Sequence, residues 1–302
     1  MAKTTNTVVG RSVWLFHYDR KGVCVEQFGA GNPEFFDVFF DLVQSGRADV
    51  RHGYGGWVPE VYDMMEGDFE DDLPLLLDLA AKSGGPIADL GSGTGRLAIP
   101  LASAGFKVYA VDSDSRMHAI LKLNADELDV NVEHITSDIR SFQLPKPVKL
   151  AVCSTNTFLY LGSLEDQRKA LKTIADNLDT GGYLWLDVFI PKPNPVAEEP
   201  YLTSVHDEET GTLLLYCAHA REDHFEGRSH VNAFTMVWGR RPEPEIYVQS
   251  WNYAWLHPNE LRLLLETSGF EVVQLLGDYE GAVADDASVQ MIAIARKVDK
   301  AR

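Results

Sequence analysis

Residues 86–112 read PIADLGSGTGRLAIPLASAGFKVYAVD, and the fold turns on how this stretch is parsed. The apolar run PIADL has the length of a buried strand and leads directly into the loop GSGTG. Apolar spacing in RLAIPLASAG predicts a helix after the loop, and KVYAVD predicts a second strand that stops on Asp112. A chain that passes so abruptly from strand to helix needs left-handed backbone, which glycine adopts without a Cβ penalty. In open sheets, ligands bind beyond the carboxyl ends of the strands. Gly91, Gly93 and Gly95 therefore mark a place where a ligand can approach the main chain. A glycine-rich turn that holds nothing is the plainer alternative. Asp89, just ahead of the loop, is poorly suited to a pyrophosphate but can accept hydrogen bonds from an ammonium group or an ordered water.

The same rhythm continues on both sides. Helices are expected over LPLLLDLAAKS (73–83), SRMHAILKLNADEL (115–128) and LEDQRKALKTIADNL (164–178). Strands are expected over NVEHITSD (131–138), VKLAVCS (148–154) and YLWLDVF (183–189). Strands alternating with helices of this length give a parallel sheet with right-handed crossovers. From 201 to 256 the helical period disappears. TLLLYCAHA, SHVNAFTMVWG and EIYVQSWNYAW alternate instead and predict inserted antiparallel strands. The helix HPNELRLLLETSGF then resumes the α/β pattern, and EVVQLLGDY and QMIAIARKV predict a final antiparallel hairpin. Ahead of the core, residues 8–18 and 22–28 read as a hairpin, Asn32 and Pro33 open a helix that Gly46 stops, and HGYGGW (52–57) forms a joint. The expected organisation is an N-terminal extension (1–57), a core (58–190 and 256–302) and a β-rich insert (191–255).

Composition narrows the function. The 302 residues carry 27 Lys+Arg against 45 Asp+Glu, a net charge of −18 that opposes nucleic-acid binding. Cys24, Cys153 and Cys217 are odd in number and lack C-x-x-C spacing, so they read as reduced thiols of a cytoplasmic protein. MAKTTNTVVG has no apolar signal core, and no stretch reaches the roughly 18 apolar residues of a membrane span. The nine histidines show no H-E-x-x-H pattern, so no metal is expected.

A dinucleotide dehydrogenase would carry G-x-G-x-x-G, whereas this loop is G-x-G-x-G. A carboxylate at the end of the following strand, Asp112, can take both hydroxyls of a ribose. DLGSGTG, the Asp112 strand end and SDI at 137–139 together resemble the class I S-adenosylmethionine-dependent methyltransferases, over roughly 58–190 and 256–298. The resemblance implies a Rossmann-like sheet with an antiparallel final hairpin, S-adenosylmethionine as cofactor, and methyl transfer to a nitrogen or oxygen of a small organic acceptor. By position it places Asp89, Gly91, Gly93 and Gly95 against the methionine and ribose, and Asp112 on the ribose. It puts Ser113, Met117, Asp138 and Ile139 around the adenine, with Met117 equally readable as core. Ser154 falls where a backbone carbonyl faces the methionine ammonium, and Tyr62 where an aromatic covers the cofactor or simply packs. STNTF (154–158) departs from the D/N-P-P-Y/F pattern of enzymes acting on nucleic-acid bases or protein amides.

An insert after the fifth core strand resembles that of methyltransferases acting on small molecules in secondary metabolism. Alternation puts His230, Asn232, Phe234, Met236 and Trp238 on one face, and Tyr247, Gln249, Trp251, Tyr253 and Trp255 on another. Such faces suit a substrate lid, a homodimer interface or a plain core alike. Tyr160, His230 and His219 are candidate bases, Tyr160 because it follows Asn156 by four residues and so could face the same pocket. Asn156, Trp251 and Tyr253 are candidate acceptor contacts. Arg96 reads as a surface residue. A regulatory protein that only holds the cofactor, or one that runs a non-methylating reaction on the same scaffold, is the alternative.

Overall fold

The computed structural model describes residues 44–46, 49–52, 59–67, 69–190 and 201–298. The expected N-terminal hairpin, most of its helix, the 52–57 joint beyond His52, and Cys24 lie outside the described residues. In chain order, the elements begin with β1 (Asp49–His52), α1 (Pro59–Glu66) and α2 (Leu73–Ser83). Then come β2 (Ile87–Leu90), α3 (Ala98–Ser103), β3 (Val108–Asp112), α4 (Ser115–Glu127), β4 (Glu133–Thr136) and β5 (Val148–Cys153). A 3₁₀ turn (Thr157–Leu161) leads to α5 (Leu164–Asn177) and β6 (Leu178–Phe189). Four long strands follow, β7 (Tyr201–Asp207), β8 (Thr212–Asp223), β9 (Arg228–Trp238) and β10 (Glu245–Ala254). The chain closes with α6 (Pro258–Thr267), β11 (Phe270–Leu276) and β12 (Gln290–Lys297).

Two compact units result, Met1–Met65 with Pro193–Tyr253, and Glu66–Lys192 with Ala254–Arg302. The second holds a seven-stranded sheet in the order β11-β12-β6-β5-β2-β3-β4. β2 pairs in parallel with β3 and β5, while β12 runs antiparallel to both β6 and β11. The chain order reverses at β2 and β5, which creates a crevice at their carboxyl ends. The expected α/β sheet with its antiparallel hairpin is therefore the one observed. The four residues of β2 and the five of β3 are all buried, as strands covered on both faces must be. Leu76, Ile87, Leu101, Leu121, Leu150 and Trp185 build the core, each fully shielded from solvent. Each such leucine or isoleucine contributes about 1.5–3 kcal/mol by leaving water.

The first unit holds a five-stranded sheet in the order β1-β10-β9-β8-β7. The expected inserted strands are β8, β9 and β10. β7 and β1 were not foreseen, and β1 joins β10 in parallel, so residues ahead of the core share a sheet with the insert. Cys217 is buried in this unit and Cys153 in the other, and both are free thiols. No helix among the described residues is long and apolar enough to cross a membrane, and none of their side chains form a group of three or more potential metal ligands.

Candidate functional site

The glycine loop lies at the carboxyl end of β2. Gly91, Gly93 and Gly95 all have positive φ, 74°, 53° and 100°, as the turn requires. Two of them also answer to protein neighbours rather than to a ligand. A Cβ on Gly91 would collide with the side chain of Thr157, and one on Gly95 would stand 2.8 Å from Leu121 and 2.9 Å from Ile99. The loop hangs from β3, because the amides of Gly91 and Ser92 donate to the Val111 carbonyl at 2.7 and 3.1 Å.

Asp112 closes the arrangement from below. Its Oδ2 accepts the Gly93 amide at 2.9 Å and its Oδ1 the Asp114 amide at 2.8 Å. Asp89 is different. It is buried, its Oδ2 has no hydrogen-bond partner, and burial pushes its pKa up to about 7. The Asp112 and Asp72 carboxylates push in the same direction, while Arg96 and the Ala98 amide oppose them.

Arg96 is not the surface residue its place in the sequence implied. Its guanidinium grips Asp72 through two bonds of 2.7 and 2.8 Å, donates to the Phe69 carbonyl and the Thr155 hydroxyl, and lies over the Phe69 ring. The Asp72 side chain is wholly buried and that of Arg96 is 11% exposed. Removing one partner of such a pair costs about 3–5 kcal/mol, because the other is left charged in a dry place.

Beside this pair stands another buried carboxylate, Asp187 on β6. Tyr279 donates to its Oδ2 at 2.6 Å, and Ser154 lies 3.2 Å from both Asp187 Oδ2 and Asp72 Oδ2. One hydroxyl proton serves only one of these carboxylates at a time. Burial raises the Asp187 pKa, and the Tyr279 and Ser154 hydrogen bonds oppose that rise. Asp72 pairs with the Arg96 guanidinium, which also acts on Asp89, and Asp187 is linked to Asp72 through Ser154, near the carboxyl ends of β2 and β6. Sequence spacing carried no sign of Asp72, Asp187 or Tyr279, which come from three distant segments.

The other expected site residues are distributed as follows. Ser113 is exposed at the end of β3, and Met117 is fully buried core. Asp138 is bound to Arg140 through its amide and guanidinium, at 2.6–2.9 Å, and these bonds hold its pKa below the usual carboxylate range. Ile139 is buried beside it in sequence. Asn156 adopts a left-handed conformation, φ 61°, and its Oδ1 accepts the Phe189 amide at 2.7 Å. Tyr160 sits on the 3₁₀ turn, which Asn156 precedes as its N-cap.

Tyr62, His230, Trp251 and Tyr253 belong to the first unit. His230 Nδ1 is hydrogen-bonded to Asn252 Oδ1. Trp251 is 6% exposed and meets Tyr253 edge to face at 6.3 Å. The side chains of His219 and Asn232 lie outside the described residues.

Residues 87–182 match the family described as "Methyltransferase domain". A cypemycin N-terminal methyltransferase from Streptomyces sp is 25% identical over 238 residues, covering 78% of this chain and 94% of that protein. Among solved structures, an S-adenosylmethionine-dependent methyltransferase from Clostridium acetobutylicum ATCC 824 aligns with a TM-score of 0.67 at 12% identity, over 88% of this chain and 99% of that one. The sugar N-methyltransferase KedS8 from Streptoalloteichus sp ATCC 53650 gives 0.61 at 14% identity, over 91% and 97%. The unpartnered Asp89 oxygen and the surplus of buried carboxylate fit a cofactor that carries an ammonium and a sulfonium. Residues 87–182 form a methyltransferase domain, and the chain is an S-adenosylmethionine-dependent methyltransferase of the class I fold.

Proposed function

We propose that the chain methylates a nitrogen of a small organic acceptor, in secondary metabolism. The observation that carries this reading is the group of buried carboxylates near the carboxyl ends of β2 and β6, where Asp89 and Asp187 lie beside the Asp72–Arg96 ion pair. Such a site draws amines and repels carboxylates and phosphates. The relatives support the same choice, since one is described as an N-terminal methyltransferase and another as a sugar N-methyltransferase.

The cofactor supplies the methyl group from its sulfonium. In this proposal the chain's own residues bind and orient. Asp89 and the Ser154 carbonyl receive the methionine ammonium, Gly91, Gly93 and Gly95 let the main chain approach, and Asp112 holds the ribose. Ser113, Met117, Asp138 and Ile139 border the adenine. Tyr62 is proposed to cover the cofactor, Tyr160 and His230 are candidate bases, Asn156, Trp251 and Tyr253 are candidate acceptor contacts, and the three-segment organisation (1–57, 58–190 with 256–302, 191–255) is proposed for the chain. An amine acceptor needs a dry, aligned position more than a strong base.

The test is a panel of amines and matched alcohols, incubated with S-adenosylmethionine and read by S-adenosylhomocysteine release. Turnover of amines is expected, and Gly93→Val should abolish it by filling the loop. Turnover confined to the alcohols would overturn the nitrogen assignment.

A further inference from the structure

Ser92, inside the glycine loop, is 6% exposed, and its hydroxyl lies 3.3 Å from Nε2 of His118 on α4. The other ring nitrogen, Nδ1, lies 3.2 Å from the hydroxyl of Thr136, the last residue of β4. His118 is itself 6% exposed. A serine beside a histidine can be a nucleophile with its base, but that chemistry orients the histidine with a third group, ordinarily a carboxylate. Here the third group is a hydroxyl and the serine is buried, so the trio joins things instead.

What it joins is the two walls of the nucleoside cleft. One wall is the glycine loop, tied by its amides to Val111. The other is the end of β4, where the Ser137 amide donates to the Asp112 carbonyl at 2.9 Å. Both walls therefore hang from the end of β3 by main chain, and His118 connects them directly through side chains. We propose that His118 is a positioning residue for the cofactor, an imidazole strut that fixes the glycine loop against the Thr136–Ile139 segment. The inference rests on the cofactor contacts proposed above.

The chemistry suits a strut. A neutral imidazole has one donor and one acceptor, and each hydroxyl can play either part, so both tautomers satisfy both ends. Burial first, and His134 second, hold the ring pKa down to about 4 against the pull of Asp114. His134 stacks edge to face on the ring at 5.4 Å. The strut is therefore uncharged at neutral pH and adds no repulsion toward a cationic ligand.

A double-mutant cycle tests it. Ser92→Ala, Thr136→Val and the double variant are titrated with S-adenosylmethionine and S-adenosylhomocysteine by calorimetry, with melting temperatures measured alongside. Thr136 is exposed, so its substitution leaves the core untouched. Each single change cuts the strut at one end and should raise Kd about five- to tenfold. The double variant should be no worse than the weaker single, because a strut cut once is already cut. His118→Phe should match the double variant, and His118→Gln, which restores a donor and an acceptor near Nε2, should recover part of the loss. Multiplying effects, or Thr136→Val with wild-type affinity, would overturn the strut while leaving the cofactor reading intact. Wild-type protein that binds neither compound would overturn both.

Discussion

At Asp89 a single carboxyl combines burial, an open oxygen and a pKa near neutrality, and the consequences run in two directions. In the free protein its ionisation opposes folding. The unfolded group titrates near 3.8 and the folded one near 7, so the native state holds the extra proton between these values. Stability from this group is greatest below the lower value and is lost as pH rises toward the upper one. A bound ammonium reverses the preference and drives the proton off. We expect cofactor binding at pH 7 to release about half a proton, measured by calorimetry in buffers of different ionisation enthalpy. Asp89→Asn should abolish both the release and the stability slope, and an unchanged release would remove Asp89 from the ammonium site. The sequence made this residue legible because motif and strand end coincide there. Arg96 was misread because its partner Asp72 lies on another segment, and no local pattern shows a pairing made by the fold.

Elements were legible in proportion to their own periodicity. The helix expected over 73–83 is α2 residue for residue, since Pro74 near its start and Gly84 behind it mark both ends. β8, β9 and β10 were visible from alternation. β1 was not, because DVRH has no apolar pattern, and it becomes a strand only by pairing with β10. The 3₁₀ turn after β5 was equally hidden. α4 offers a quantitative check. Asp114 accepts the Arg116 amide at 2.9 Å as its N-cap, and Arg116 adds an ion pair with the same carboxylate. Asp114→Ala should cost about 0.5–2 kcal/mol, nearly all from the cap, since an exposed pair contributes little. Thermal melts of this variant and Arg116→Ala separate the two. Equal losses in both would show that the ion pair, rather than the cap, holds the helix start.

On the scale of the whole molecule, the chain visits one unit, builds most of the other, returns, and finishes in the second. Each unit has its own buried side chains, so damage to one need not erase the function of the other. Trp251→Ala removes a buried ring from the first unit and should cost it about 3–5 kcal/mol, while His230→Ala, at a half-buried position, should cost far less. If the insert contributes to acceptor recognition, turnover should fall in His230→Ala with cofactor affinity kept. Normal turnover in that variant would assign the residue to the strand pairing alone. The two buried cysteines extend this into kinetics. Burial pushes the Cys217 thiol up to about 12, and raises the Cys153 thiol with help from Asp89 and Asp187. Neither is a thiolate in the closed protein, so iodoacetamide can alkylate them only when the chain around them opens. With Cys24 replaced by serine, the two labelling rates become separate clocks for the breathing of each unit. A saturating cofactor should slow the Cys153 clock more than the Cys217 clock.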